Sequence, residues 1–138
     1  MGAGTAPARD RTVAGHIAII DDDASVGRAL ARLIKAHSYS VQVYRSARDF
    51  LDALKTGTPA CVIVDLQMEE MTGLQLVHHL GDMGLRIPTI FVTARDEPSM
   101  QHSCEASGAV AFLLKPVMSE PLLAAISTAL SGSANRRG

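Results

Sequence analysis

The feature that most limits how this chain can fold is the run Cys61-Val62-Ile63-Val64-Asp65, bounded by Thr56-Gly57-Thr58-Pro59 before it and by a polar turn after it. Such a short, unbroken, β-branched apolar run reads as a strand covered on both faces. A strand of that kind belongs in the middle of a parallel sheet, whose crossover connections supply helices to both sides. Asp65 then stands where the strand leaves the core. In an open parallel sheet ligands bind at the carboxyl ends of the strands. From this stretch alone, Asp65 is placed equally well for chemistry or for starting a turn and capping the next helix.

The other segments extend the pattern. His16-Ile17-Ala18-Ile19-Ile20 predicts a first strand that ends in Asp21-Asp22-Asp23, and Val26, Leu30, Leu33 and Ile34 mark an amphipathic helix after it. Residues 40–44 alternate as a second strand, followed by a helix on Ala47, Phe50, Leu51 and Leu54 that Gly57 and Pro59 stop. After the Asp65 strand, Leu74, Val77 and Leu80 mark a third helix that Gly81 and Gly84 weaken. Residues 87–93 predict a fourth strand, 98–107 a weak helix, 110–114 a fifth strand closed by Lys115-Pro116, and Leu122, Leu123, Ile126 and Leu130 a last helix. Alternation of this kind predicts one α/β domain over residues 16–130, a three-layer (βα)5 arrangement around a five-stranded parallel sheet. Residues 1–15 are expected to form a flexible leader, and residues 131–138, beginning Ser131-Gly132-Ser133, a flexible tail.

Composition narrows the function classes. A formal net charge of -1 with both signs dispersed gives no reason to expect nucleic-acid or membrane binding. No apolar run approaches the roughly 20 residues of a membrane span, and the first residues lack a secretory core, so a cytoplasmic location is expected. Cys61 and Cys104 fit that compartment as reduced apolar residues. His37, His78, His79 and His102 show no partner pattern and are expected on helix surfaces.

The chemistry emerges when the strand ends are lined up. Asp21-Asp22, Asp65, Thr93-Ala94 and Lys115-Pro116 all fall at carboxyl ends, so one edge of the sheet collects three carboxylates, a hydroxyl and an ammonium. Crowded carboxylates either raise their pKa values or hold a cation. An all-oxygen set suits Mg²⁺. Asp23 reads instead as a solvated helix start.

These residues carry a resemblance. Asp21-Asp22 after an apolar strand, Asp65 with Met68, Met71 and Gly73 behind it, Thr93-Ala94, and Phe112-Leu113-Leu114-Lys115-Pro116 resemble the receiver domain of two-component response regulators. The likeness runs from His16 to Leu130 and implies a flavodoxin-like fold. The Ser46-Ala47 and Phe50-Leu51 pairs, with Phe91-Val92-Thr93-Ala94, are closest in wording to the nitrogen-fixation regulator type, whose members often carry a helix-turn-helix output.

The resemblance implies a phosphorylation-dependent signalling switch. Asp65 would be the phosphoacceptor, charged by a histidine kinase, a phosphotransfer protein or a small acyl phosphate. Asp22 and Asp65 would touch Mg²⁺ directly, the Gln67 backbone carbonyl would also be a ligand, and Asp21 would act through water. Lys115 would pair with a phosphoryl oxygen, and the bond to Pro116 would be cis. Thr93 and Ala94 would bind the phosphoryl group, while Thr93 and Phe112 would switch a face formed by the helix from Pro98 and the fifth strand, with homodimerisation as the readout. Beyond catalysing its own phosphorylation and dephosphorylation, the domain would not be an enzyme. The requirements of phosphoryl transfer agree: an in-line nucleophile, a divalent ion and positive charge on the equatorial oxygens.

Glu69 departs from the pattern, since the family usually has Pro there, and it is expected to loosen the loop or slow an anionic donor. Val117 replaces a common aromatic. Gln67 and Arg95 occupy variable positions where phosphoryl lifetime is tuned. An aspartyl-phosphate hydrolase would want a second Asp at position 67, and a nucleotide binder would want a glycine-rich cradle after the first strand. The alternative that stays open is a phosphorylation-independent interaction module with the same fold.

Overall fold

The computed structural model describes residues 16–137, with side chains described as far as Ser131. The expected leader, residues 1–15, lies outside the described residues. Five strands are β1 (His16–Ile20), β2 (Ser40–Tyr44), β3 (Cys61–Asp65), β4 (Thr89–Thr93) and β5 (Ala111–Leu114). The helices are α1 (Ala24–Ala36), α2 (Ala47–Ala53), which runs into a 3₁₀ turn at Leu54–Thr56, α3 (Gly73–Asp82), α4 (Pro98–Ala106) and α5 (Ser119–Arg137). β4 starts two residues after the point expected from the apolar run, because Pro88 has no N–H to give to a ladder. α5 continues through Ser131-Gly132-Ser133, where the sequence suggests a tail. Propagation of an established helix gains a hydrogen bond per residue, which outweighs the roughly 1 kcal/mol cost of one glycine.

All strand pairs are parallel, in the order β2-β1-β3-β4-β5. The chain moves outward in one direction from β1 to β2 and in the other from β1 to β3, so β1 and β3 flank the topological switch point. The two-residue period of the strands divides the core. Ile17, Ile19, Cys61, Ile63, Ile90 and Val92 pack on one face with Leu30 and Ile34 of α1 and Leu122 and Ile126 of α5. Ala18, Ile20, Val62, Val64 and Phe91 pack on the other with Phe50 of α2, Leu76 and Leu80 of α3, and Cys104 of α4. Cys61 and Cys104 are buried free thiols, and burial pushes the Cys61 thiol up to about 12, so it packs as a small apolar side chain.

Side-chain caps set the helix starts. Asp23 accepts from the Ser25 and Val26 amides at 3.0 and 3.3 Å, the helix-start role its sequence position suggests. Thr72 and Gln75 form a reciprocal capping box at the head of α3. α4 is different: Glu97 makes no side-chain cap, and Cys104 is the one buried residue of the helix. With so little apolar burial and no side-chain cap, α4 is weakly held. Among the described residues no helix is long and apolar enough to cross a membrane.

Candidate functional site

The switch point brings the strand-end residues together. Asp21 follows β1 directly, and its amide donates to the Tyr44 carbonyl at 3.0 Å, carrying the β1–β2 ladder one step beyond the strand. Asp65 closes β3 next to it. Asp21, Asp22 and Asp65 can each present a carboxylate oxygen so that the three oxygens lie within 4.8 Å of one another. Asp21 and Asp65 are 2% and 5% exposed, which is rare for two carboxylates this close and calls for a counter-charge. Lys115 supplies one: its Nζ is 3.2 Å from Asp21 Oδ2 and 3.4 Å from Asp65 Oδ2. The Lys115-Pro116 bond is cis.

The electrostatics follow from this packing. Burial, and then the charge of Asp21, push the Asp65 carboxyl up to about 6, against the opposing pull of Lys115 and the Gln67 amide. Burial works to lower the Lys115 ammonium, but the Asp21 and Asp65 carboxylates outweigh it and the net direction is upward. Lys115 pairs with two of the three carboxylates, Asp21 and Asp65, so the oxygen set retains capacity for a hard divalent ion such as Mg²⁺, which takes one or two carboxylates with waters.

A second layer comes from the loop after β3. Gln67 N–H donates to Asp65 Oδ1 at 3.2 Å, and Glu69 N–H donates to Asp22 Oδ2 at 3.3 Å. Proline at position 69 could not make the second bond, so the residue expected to loosen this loop contributes a tie between it and Asp22. A cleft of about 130 Å³ lined by Arg45, Met68, Glu69 and Met71 opens beside Asp22.

Thr93 ends β4, is fully buried, and donates through Oγ1 to Gln67 Oε1 at 2.7 Å while accepting from Arg95 N–H at 3.1 Å. Ala94 follows it at an exposed position. Phe112 on β5 is partly buried in the second core cluster and is in register with Phe91, two residues before Thr93, so Phe112 and Thr93 share one face of the sheet. Every residue singled out from the strand ends therefore meets at one edge. The sequence does not foretell the Gln67 side-chain contact or the role of the Glu69 amide; its only signal for either is nearness to Asp65. His37, His78, His79 and His102 are exposed, as expected.

Gly73 shows how closely this edge is packed. A Cβ there would lie 2.7 Å from the Asp65 carbonyl oxygen and 3.2 Å from Val64 Cγ2. Backbone cannot yield as a flexible side-chain tip would, so Gly73→Ala should cost about 1–3 kcal/mol. The measurement is the urea midpoint at unchanged slope. A variant with the parent's midpoint would show that the α3 start moves freely relative to β3.

The family model described as response regulator receiver domain matches residues 17–127. The transcriptional regulatory protein TdiR of Thauera aromatica is 37% identical over 118 residues, 86% of this chain and 52% of that protein. The transcriptional regulatory protein FixJ of Rhizobium meliloti (strain 1021) is 31% identical over 111 residues, 80% of this chain and 54% of its own length. The chain thus spans about half the length of these relatives. A crystal structure of FixJ-N superposes with a TM-score of 0.78 at 29% identity, covering 84% of this chain and 93% of that one.

Proposed function

The chain belongs to the response regulator receiver domain family, and on that footing we propose that it is a phosphorylation-dependent switch whose acceptor is Asp65. The observation that carries this reading is the convergence of Asp21, Asp22 and Asp65 with Lys115 at the switch point. The donor is a histidine kinase, a phosphotransfer protein or a small acyl phosphate. In the transfer, an Asp65 oxygen bonds to the donor phosphorus while the donor's bond to phosphorus breaks, its electron pair leaving with the donor.

Each neighbour has a role that its position supports. Asp21, Asp22 and Asp65, with the Gln67 carbonyl, would hold Mg²⁺, which when bound supplies positive charge against the phosphoryl oxygens. Lys115 already faces Asp65 and follows the negative charge onto the phosphoryl group as a point charge. The Thr93 hydroxyl and the Ala94 N–H donate to its remaining oxygens. Phe112, on the same face as Thr93, turns into the space the threonine vacates, and the face formed by α4 and β5 repacks. The weak hold on α4 supports that choice of moving element. Self-association through this face is the proposed readout. Transcription is the process such a switch would control, since TdiR and FixJ are named as transcriptional regulatory proteins.

The direct test is intact-mass analysis after incubation with a small acyl phosphate and Mg²⁺. One acid-stable, base-labile phosphoryl group is expected, and no adduct at any donor concentration would sink the reading. Calorimetric titration tests the metal site separately. Asp21 is already held by Lys115 and by the Asp23 amide, so Asp21→Ala should weaken Mg²⁺ binding by roughly tenfold, as loss of an outer partner does, and Asp22→Ala by clearly more. Equal affinities in the two variants would mean that the direct ligand is misassigned.

A further inference from the structure

We propose that the Gln67 side chain is a latch on Thr93: it commits the switch hydroxyl's only proton while Asp65 is unphosphorylated, and its release is part of passing the signal to α4 and β5. This rests on the reading of Thr93 as a switch given above.

The geometry assigns the latch residue by residue. Gln67 is tethered at its backbone to the acceptor, through its N–H to Asp65 Oδ1. Its side chain, at an exposed position where long polar groups ordinarily stay in solvent, turns back to meet Thr93 Oγ1 at 2.7 Å. A hydroxyl has one proton to donate. The Gln67 atom facing Oγ1 is Oε1, which can only accept, so the hydroxyl proton lies on that bond, while an Oγ1 lone pair receives the Arg95 N–H. Thr93 cannot donate to an oxygen on phosphorylated Asp65 while this bond stands. One residue thus reads both ends of the switch, its main chain on the acceptor and its side chain on the responder.

The latch sets how far the unphosphorylated protein samples the active arrangement. Removing the amide oxygen leaves the buried hydroxyl without its acceptor and should enlarge the constant for the active arrangement roughly two- to tenfold, the net share of one neutral hydrogen bond. Gln67→Met keeps length and removes the acceptor; Gln67→Glu keeps an oxygen at the same reach. Both leave the backbone carbonyl in place, and a thermal melt checks that each variant is folded.

The experiment reads the Thr93 side-chain rotamer by three-bond scalar couplings in the unphosphorylated parent and both variants, then the association constant of each with and without acyl phosphate and Mg²⁺. The expected result is one rotamer in the parent and in Gln67→Glu, and a mixture in Gln67→Met with a basal association constant two- to tenfold above the parent's. A single, parent-like rotamer in Gln67→Met, or a mixture in Gln67→Glu equal to that in Gln67→Met, would overturn the latch. The rotamer measurement uses no phosphate, so it decides the latch by itself. A parent that takes up no phosphoryl group would bring down the functional reading and leave the rotamer populations, and what they say of the latch, unchanged.

Discussion

Asp65→Asn should take up no phosphoryl group and should also make the metal-free protein more stable at neutral pH. The first effect follows from chemistry, because the amide keeps the shape of the side chain but is no nucleophile. The second follows from electrostatics. The Asp65 carboxyl titrates at about 6 in the folded protein against an ordinary 3.8. Its folded pKa is raised, so folding favours the protonated form. The stability this brings is complete below the unfolded value and is lost as pH rises through about 6. At pH 7 the folded state holds a buried carboxylate beside Asp21, and asparagine removes that burden. Lys115 is not orphaned in the variant, since Asp21 remains 3.2 Å away.

One pKa unit is about 1.4 kcal/mol, and after discounting for solvent screening the gain in the variant at pH 7 should be about 1–2 kcal/mol. Urea titrations without metal should show the parent gaining stability between pH 7 and 4 relative to the variant. Saturating Mg²⁺ should narrow the gap at pH 7, because the ion binds the folded parent. An adduct on the variant equal to the parent's would show that another residue is the acceptor. A variant less stable than the parent at pH 7 would show that the Lys115 pair outweighs the burial cost.

Thr93→Ala should separate phosphorylation from its consequence. Lys115 and the carboxylate cluster remain, so Asp65 should be modified as fully as in the parent. What is lost is one hydrogen bond to a charged group, worth about 1.5–3 kcal/mol, and the response of the α4–β5 face should fall roughly ten- to a hundredfold in equilibrium constant. The side chain is buried, but the groups it leaves behind, Gln67 Oε1 and the Arg95 N–H, belong to exposed residues that water can reach. The variant should therefore fold. Sedimentation of both proteins with and without donor, with hydrogen exchange on α4 and β5, reads the difference. A parent whose association and exchange are the same in both states would leave a constitutive interaction module.

The fold was legible because its signals are local. β1, β2 and β3 sit on the residues their apolar runs indicate, since strand and helix differ in side-chain period and a short β-branched run bounded by turn residues admits few alternatives. The differences fall where neighbouring sequence is neutral. Pro88 removes an amide at the start of β4, and α5 persists through a glycine and two serines because a helix already anchored by Leu122 and Ile126 propagates cheaply.

The sequence by itself determined the order of the elements, the parallel sheet they require, and the placing of Asp21, Asp22, Asp65, Thr93 and Lys115 at carboxyl ends, because strands joined by helical crossovers run parallel and so put every such end on one edge. Only the tertiary structure decided which of these ends touch. The strand order sets β1 beside β3, so Asp21 and Asp65 share Lys115. The Thr93–Gln67 bond joins residues 26 apart, and the Glu69–Asp22 bond residues 47 apart. Hydrogen bonds form within a few tenths of an ångström and a limited range of angle, and no spacing along a chain specifies that. It is set by how the strands are ordered and by which rotamer each side chain adopts once the core has packed.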